Sequence, residues 1–171
     1  MITSKICIVG DFAVGKTSVV ERFVNNQFSD KYLTTIGVKV DTKEIVLAKK
    51  SVSIKLILWD VAGAEKFGSR EFAYLRGASG IVYVVDGTRV STVESVLNLR
   101  KQIEDRYGSQ PNVLLVNKKD LAGMWQISPQ KLESIREHFH HIYETSAKTG
   151  DDVELALTEL AELIASKDLL R

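Results

Sequence analysis

An eight-residue stretch near the N-terminus has the residue types and the spacing of a phosphate-binding loop. It runs from Gly10 to Thr17 as Gly-Asp-Phe-Ala-Val-Gly-Lys-Thr, after an apolar run and before a helical one. Its glycines allow successive backbone N–H groups to converge on phosphate oxygens, and the following helix adds its positive dipole end. Lys16 supplies a full charge for the outer phosphates, and the Thr17 hydroxyl is a hard oxygen ligand for Mg²⁺. The pattern favours a polyphosphate site over a simple glycine-rich turn.

A second motif, Asn117-Lys118-Lys119-Asp120, indicates which base the site accepts. A carboxylate such as that of Asp120 accepts two hydrogen bonds from the N1–H and the exocyclic amine of guanine, whereas adenine presents no such donor pair. A site built around such an acceptor rejects the unmatched base by roughly 10⁴-fold. Alone, the motif is equally compatible with a solvated turn, but Ser146-Ala147-Lys148 strengthens the guanine interpretation. Four further residues are candidates for contact with the faces or edge of the base: Phe28, Lys118, Ala147 and Lys148.

Asp60 and Gly63 form a third candidate, with the spacing D-x-x-G at the end of a predicted strand. The Asp60 carboxylate fits a contact to Mg²⁺ through water, and Gly63 has an unobstructed backbone N–H for a terminal phosphate. This pattern is weak by itself, because many strands end in such a turn. Its position after Trp59, in this order of elements, makes it specific.

The elements that must position these motifs alternate between strand and helix. Five runs predict strands, over 6–9, 52–59, 81–85, 113–116 and 142–143, and the continuous apolar runs at 81–85 and 113–116 are typical of strands that are buried. A polar motif follows each of these runs except 81–85. Alternation over 38–47 predicts a hairpin strand antiparallel to 52–59. The expected fold is therefore α/β, with about six strands, mostly parallel, and helices on both faces. Ligands of such sheets bind beyond the carboxyl ends of the strands, where the motifs converge.

Capping residues predict where two of the helices begin. Ser128 followed by Pro129 starts one helix, and Asp151 with Glu154 three residues later predicts a capping box for the last one. The last helix has one apolar face, formed by Val153, Leu157, Leu160 and Ile164.

Composition limits the class of protein. With 171 residues, we expect a single domain over 1–171, and 23 Lys and Arg against 22 Asp and Glu give no argument for nucleic acid. The single Cys7 predicts a reducing compartment, and no apolar run has membrane-spanning length. We expect a cytoplasmic monomer without an integral membrane segment. The chain ends Asp168-Leu169-Leu170-Arg171, without a cysteine for prenylation.

Together, these motifs closely resemble those of a Ras-superfamily small GTPase, most similar to the Rab branch, over nearly the whole chain. The resemblance implies a P-loop NTPase of the Ras-like G-domain type. The matching stretches are Gly10 to Thr17, Tyr32-Leu33-Thr34-Thr35-Ile36-Gly37-Val38, Trp59 to Gly63, Arg76-Gly77-Ala78, Asn117 to Asp120 and Thr145-Ser146-Ala147-Lys148.

The resemblance implies a GTP/GDP switch that uses Mg²⁺ and hydrolyses GTP to GDP and phosphate. Lys16, Thr35 and Gly63 would act in hydrolysis, and the metal would be held by Thr17, Thr35 and, through water, Asp60. The residues expected to bind the nucleotide are Ala13, Val14, Gly15, Lys16, Thr17, Ser18, Phe28, Thr35, Gly63, Asn117, Lys118, Asp120, Ser146, Ala147 and Lys148.

The resemblance also implies partners that read the nucleotide state. Effectors, an exchange factor and a GTPase-activating protein would bind the loops near Thr35 and Gly63 and the aromatic residues Trp59 and Tyr74. A third position, usually aromatic in Rab proteins, is Val40 here, so the effector surface departs from the standard one. Rab proteins usually carry a longer, prenylated tail; if such a tail is missing from this chain, a peripheral membrane location follows.

Three residues depart from the family pattern where hydrolysis takes place. Ala64 stands at the position of the usual catalytic glutamine, while Phe12 and Ala13 replace the usual small residues of the loop. A phenyl ring at Phe12 can crowd the γ-phosphate and obstruct an incoming arginine finger. These departures predict slow hydrolysis; the alternative is a GTP-dependent interaction module in which hydrolysis is lost. A P-loop nucleotide kinase is disfavoured, because no second substrate site or lid is evident.

Overall fold

The computed structural model describes residues 1–31, 35–63 and 67–170, and within them a six-stranded sheet forms the centre of the fold. The strands lie in the order β2-β3-β1-β4-β5-β6. Their bounds are β1 (Ile2–Val9), β2 (Val38–Leu47), β3 (Val52–Val61), β4 (Gly80–Asp86), β5 (Asn112–Asn117) and β6 (His141–Glu144).

The pairing of the strands confirms the expected mixed sheet. β1 runs parallel to β3 and β4, and β4, β5 and β6 continue in parallel. Only β2 is antiparallel among the strands described, paired with β3 from Val38 opposite Val61 to Leu47 opposite Val52. A 3₁₀ turn over Ala48–Lys50 joins these two strands. The carboxyl ends of the five parallel strands consequently share one edge of the sheet.

In the part of the chain that the structure describes, five α-helices cover the two faces of the sheet: α1 (Lys16–Asn25), α2 (Ser69–Tyr74), α3 (Ser91–Tyr107), α4 (Pro129–Ile135) and α5 (Val153–Leu169). Apolar side chains of α1 and α5 pack against one face in a continuous core. Those of α2, α3 and α4 pack against the other face. Every residue of β4 and β5 is buried, which explains their continuous apolar runs. None of the helices described has both the length and the apolar character needed to cross a bilayer.

The two predicted helix starts have different outcomes. Ser128 caps α4 as predicted, because its hydroxyl accepts a hydrogen bond from the Lys131 N–H at 3.1 Å. The capping box predicted at Asp151 is wrong: the N-cap of α5 is Asp152, in a left-handed conformation and without a side-chain cap bond. Asp151 instead belongs to the preceding turn, where its carbonyl accepts a hydrogen bond from the Ser146 N–H at 3.1 Å.

Candidate functional site

A cleft of about 390 Å³ opens at the edge of the sheet where the parallel strands end. Thirteen of the fifteen residues predicted to bind nucleotide line this cleft: Ala13, Gly15, Lys16, Thr17, Ser18, Phe28, Thr35, Gly63, Asn117, Lys118, Asp120, Ala147 and Lys148. The other two lie behind the wall, Val14 fully buried and Ser146 bonded to Asp120. Five lining residues were not among those predicted to bind: Phe12, Ser29, Asp30, Lys31 and Leu121.

The phosphate loop connects β1 to α1 through unusual backbone conformations. Gly10 and Gly15 have φ of 152° and 99°, which glycine adopts readily. A Cβ on Gly10 would lie 2.3 Å from the Val84 carbonyl oxygen, so the loop passes β4 where only glycine fits. Ala13 also has a positive φ, 63°, which is uncommon for a residue with a side chain.

Lys16 is the first residue of α1 and lies inside this loop. Its ammonium donates hydrogen bonds to the carbonyl oxygens of Gly10, at 3.1 Å, and Asp11, at 2.8 Å. Burial lowers the pKa of Lys16 from 10.5 to about 8, against the opposing effect of the nearby Asp60 and Asp11 carboxylates. A phosphate group in the cleft would raise this pKa again, because it supplies negative charge at short range.

Three oxygen ligands meet where the predicted metal would be. The Thr17 hydroxyl lies 2.5 Å from the Thr35 hydroxyl and 2.6 Å from Asp60 Oδ2, and Thr35 lies 3.2 Å from the same carboxylate oxygen. Asp60 is fully buried, and burial raises its pKa while the Thr17 hydrogen bond and the Lys16 charge oppose that rise. The second oxygen, Oδ1, has no hydrogen-bond partner among the residues described. Hard oxygen ligands and an unsatisfied buried carboxylate oxygen fit Mg²⁺.

The base motifs are held together by hydrogen bonds across the sheet edge. Asn117 donates to the Val14 carbonyl at 3.0 Å, and its Oδ1 accepts from the Thr145 hydroxyl and from the Ala147 N–H, both at 3.2 Å. The N–H of Ala147, a predicted base contact, therefore already donates to Asn117. The Ser146 hydroxyl donates to Asp120 Oδ1 at 2.7 Å, which orients the carboxylate at the mouth of the cleft.

Arginine and aspartate side chains that the motifs did not include support these loops. Arg22, on α1, donates to the carbonyl oxygens of Ala147 at 2.9 Å and Lys148 at 2.6 Å. Asp86, at the end of β4, lies 2.9 Å from the Lys118 ammonium. One signal could have identified Asp86: it follows an apolar run at the same sheet edge as the other motifs. No sequence pattern identifies Arg22, because it resembles any other polar residue on a helix.

Gly63 packs directly against the phosphate loop. A Cβ at this position would lie 2.6 Å from the Phe12 nitrogen and 2.7 Å from the Asp11 carbonyl carbon. Gly63 therefore contacts the backbone of the phosphate loop closely, beside Phe12, which is 53% exposed.

The candidate partner surface lies on the β2–β3 hairpin beside α2. Trp59 and Tyr74 are half-buried, with ring centroids 6.4 Å apart, and the Lys5 ammonium lies 3.8 Å from the Trp59 ring centroid. Val40 is directly opposite Trp59 in the strand register and is 47% exposed. Four residues named in the predicted loops lie outside the residues described: Tyr32, Leu33, Thr34 and Ala64.

The fold and the cleft define an α/β protein of the P-loop nucleotide-binding type. The sequence profile of the Ras family matches residues 5–166. Ras-related protein Rab-13 of Rattus norvegicus is 36% identical over 165 residues, 95% of this chain and 80% of that protein. Ras-related protein Rab-32A of Dictyostelium discoideum is 38% identical over 176 residues, covering 98% and 80%. Ras-related protein Rab-1 of Theileria parva is 35% identical over 166 residues, covering 95% and 74%.

The chain therefore belongs to the Ras family of small GTPases and is Rab-like. Members of this family bind GTP and GDP, act as molecular switches and work with regulators and effectors, and the general function of the chain follows from that membership.

Proposed function

We propose that this chain is a guanine-nucleotide switch that hydrolyses GTP slowly when alone. The observation that carries the proposal is the convergence on one cleft of the phosphate loop, the Thr17 and Thr35 hydroxyls that bond Asp60, and the Asp120 carboxylate. Loop amides and Lys16 would hold the phosphate chain and stabilise charge that develops on it, while Asp120 selects guanine. Thr35 and Gly63 would report the γ-phosphate to the loops that partners recognise.

Mg²⁺ belongs to this proposal, held by the Thr17 and Thr35 hydroxyls and, through water, by Asp60. When bound, it would neutralise phosphate charge during transfer. The Lys118 stem would lie along the base, Lys148 would cover its other side, and Phe28 would form an aromatic wall. Binding would also satisfy Asp60 Oδ1, which is otherwise buried without a partner among the residues described.

The slow rate is inferred from the residues that surround the γ-phosphate position. The side chain of Ala64 can neither donate nor accept a hydrogen bond, so it cannot orient a water molecule. Phe12 lines the cleft and its backbone contacts Gly63, so its phenyl ring would obstruct an arginine finger that enters from a partner. Such a finger contributes about 10³–10⁵ in rate where it operates.

Single-turnover hydrolysis by GTP-loaded protein tests this proposal. We expect a rate constant below the order of 10⁻⁴ s⁻¹ found for intrinsic Ras hydrolysis, and an increase in the Ala64→Gln variant. Ala48→Gln is the matched control, because Ala48 is exposed at the hairpin turn. A Ras-like rate in the unmodified chain would contradict slow hydrolysis. No change on introducing glutamine would favour the alternative, an interaction module that has lost hydrolysis.

We also propose that the chain acts as a monomeric single domain and that Trp59, Tyr74 and the loops near Thr35 and Gly63 form its partner surface. Val40 opposite Trp59 removes one aromatic contact, which selects effectors different from those of a standard Rab surface. Sedimentation of the GDP-loaded protein tests the monomer, and one cooperative unfolding transition tests the single domain.

A further inference from the structure

The turn after β4 carries a buried carboxylate whose two oxygens are both bonded. Asp86 is 1% exposed, and its Oδ1 accepts hydrogen bonds from the Thr88 N–H at 2.8 Å and the Thr88 hydroxyl at 2.7 Å. Its Oδ2 accepts from Arg89 Nε at 3.0 Å and lies 2.9 Å from the Lys118 ammonium. The carboxylate is therefore fixed, and it fixes the direction of the Arg89 guanidinium in turn.

The Arg89 guanidinium also contacts the phosphate loop, through its Nη2 atom. Arg89 Nη2 donates a hydrogen bond to the Phe12 carbonyl oxygen at 2.8 Å. In a trans peptide unit, the C=O group and the N–H group of the next residue point in opposite directions. Because the Phe12 carbonyl points to Arg89, the Ala13 N–H points away from Arg89, and Ala13 lines the cleft.

The loop adopts a conformation that needs such support. Ala13 is held at a φ of 63°, which costs free energy for a residue that carries a Cβ. The preceding carbonyl, that of Asp11, is held by the Lys16 ammonium at 2.8 Å. Two successive carbonyl oxygens are thus bonded to cations. A charge-assisted bond to a carbonyl also polarises its peptide unit, which makes the N–H on the other side a better donor.

We propose that Arg89 is a positioning residue for nucleotide binding, which holds the Phe12 carbonyl so that the Ala13 N–H is aimed at the phosphate chain. Through Asp86 it also joins the phosphate loop to Lys118 at the base. Arg89 itself lies outside the residues that line the cleft, so its effect is indirect. This inference rests on the proposed guanine-nucleotide site and adds a residue that none of the sequence motifs contains.

The test compares GDP-loaded Arg89→Met with the unmodified chain. We expect GDP release to accelerate on the order of tenfold, the equivalent of one charge-assisted hydrogen bond. We also expect the Ala13 amide proton and the β-phosphorus of bound GDP to change chemical shift in NMR spectra. Arg136→Met is the matched control, because Arg136 is exposed and pairs with Glu133 away from the cleft. It should leave the release rate and both resonances unchanged.

Arg89→Lys separates geometry from charge, and it carries the test if the methionine variant does not fold. A single ammonium lacks the planar fork that spans Asp86 and the Phe12 carbonyl together, so we expect faster release and a shifted Ala13 amide. Full rescue by lysine, unchanged release in Arg89→Met, or faster release with both resonances unchanged would each overturn the positioning role. Failure of the unmodified chain to bind GDP would instead overturn the proposed function.

Discussion

In the proposed site Asp120 selects the base, and the Ser146 hydroxyl donates a hydrogen bond of 2.7 Å to its carboxylate. We expect Asp120→Ala to lose most of the preference for GDP over ADP, a factor of roughly 10⁴, because the two guanine donors lose their acceptor. Competition of GDP and ADP against a fluorescent GDP analogue measures this preference. Asp105→Ala, an exposed carboxylate on α3, is the control. A preserved preference in Asp120→Ala would show that another group selects the base.

Cys7 provides a prediction about pH. Its thiol is fully buried in β1, and burial raises the pKa of Cys7 from 9.0 to about 12, with Lys5 opposing the rise. In the unfolded chain the thiol ionises near pH 9, whereas the folded state keeps its proton. The contribution of Cys7 to stability is therefore complete below pH 9 and is lost progressively between pH 9 and 12.

Thiol labelling measures the protection of Cys7. At pH 8 we expect a disulfide reagent to modify Cys7 only as fast as the protein unfolds, with a rate that rises with denaturant. Labelling at the rate of a small free thiol in the native protein would contradict the burial described here.

The individual strands and helices were largely predictable, because their patterns reflect burial. Continuous apolar runs gave β4 and β5, and alternation gave β2 with the bounds observed, Val38–Leu47. Element ends were less predictable: β3 continues to Val61 because Val38 pairs with it, two residues beyond the predicted end at Trp59. The predicted cap of α5 was wrong because Asp151 belongs to the turn before the helix. Its carbonyl oxygen accepts a hydrogen bond there from the Ser146 N–H.

The turn after β4 contains a close contact between a glycine and an aromatic ring. Gly87 lies under the indole of Trp125, where an added Cβ would be 2.2 Å from the ring. Gly87 also accepts a backbone hydrogen bond from Gln126 at 2.8 Å, which fixes the two loops together. A larger residue at position 87 therefore overfills the space unless the indole moves, and Trp125 directly precedes the Gln126 that is bonded to Gly87.

We therefore expect Gly87→Ala to lower the free energy of unfolding by about 1–3 kcal/mol. Denaturant unfolding of the GDP-loaded protein measures this change in the free energy of unfolding. Gly123→Ala is the control, since nothing lies within 4 Å of its added Cβ and its φ is not positive. Equal stabilities of the two variants would contradict the packing of Trp125 on Gly87.

At the scale of the whole molecule, the cleft is assembled from loops that follow β1, β3, β5 and β6, together with the segment after α1. Since these loops are distant in sequence, a nucleotide that contacts all of them stabilises the folded state. We expect GDP with Mg²⁺ at 1,000 times its Kd to raise the free energy of unfolding by about 4 kcal/mol. Thermal unfolding with GDP, with ADP and with GDP plus EDTA measures this.

We expect ADP to give little stabilisation, and EDTA to accelerate GDP release and to reduce the effect of GDP. Equal stabilisation by ADP would contradict guanine selection. A GDP effect that EDTA leaves unchanged would contradict the metal site at Thr17, Thr35 and Asp60.

The side chains proposed to contact the nucleotide and the metal were predictable, whereas many of the residues that hold their loops in place were not. Asp60, Asp120 and Lys16 follow strand ends in recognisable spacings, so the sheet-edge rule places them. Arg22 and Arg89 donate hydrogen bonds to carbonyl oxygens that are 125 and 77 residues away in sequence. Because every residue has a backbone carbonyl, the sequence does not indicate which one is the acceptor. Residues that hold loops from behind consequently become visible only when the fold is known.

The edge of the sheet where the parallel strands begin lies opposite the cleft, and the end of α5 lies near it. β1 begins there with Ile2, and the last turns of α5 return to it, since Ile164 fills the space beside Gly80 at the start of β4. Any tether joined to the end of α5, whether to a bead, a bilayer or a second domain, would leave from the side of the sheet where the strands begin, opposite the cleft. Nucleotide exchange would then stay sterically accessible in an anchored molecule, as in a diffusing one.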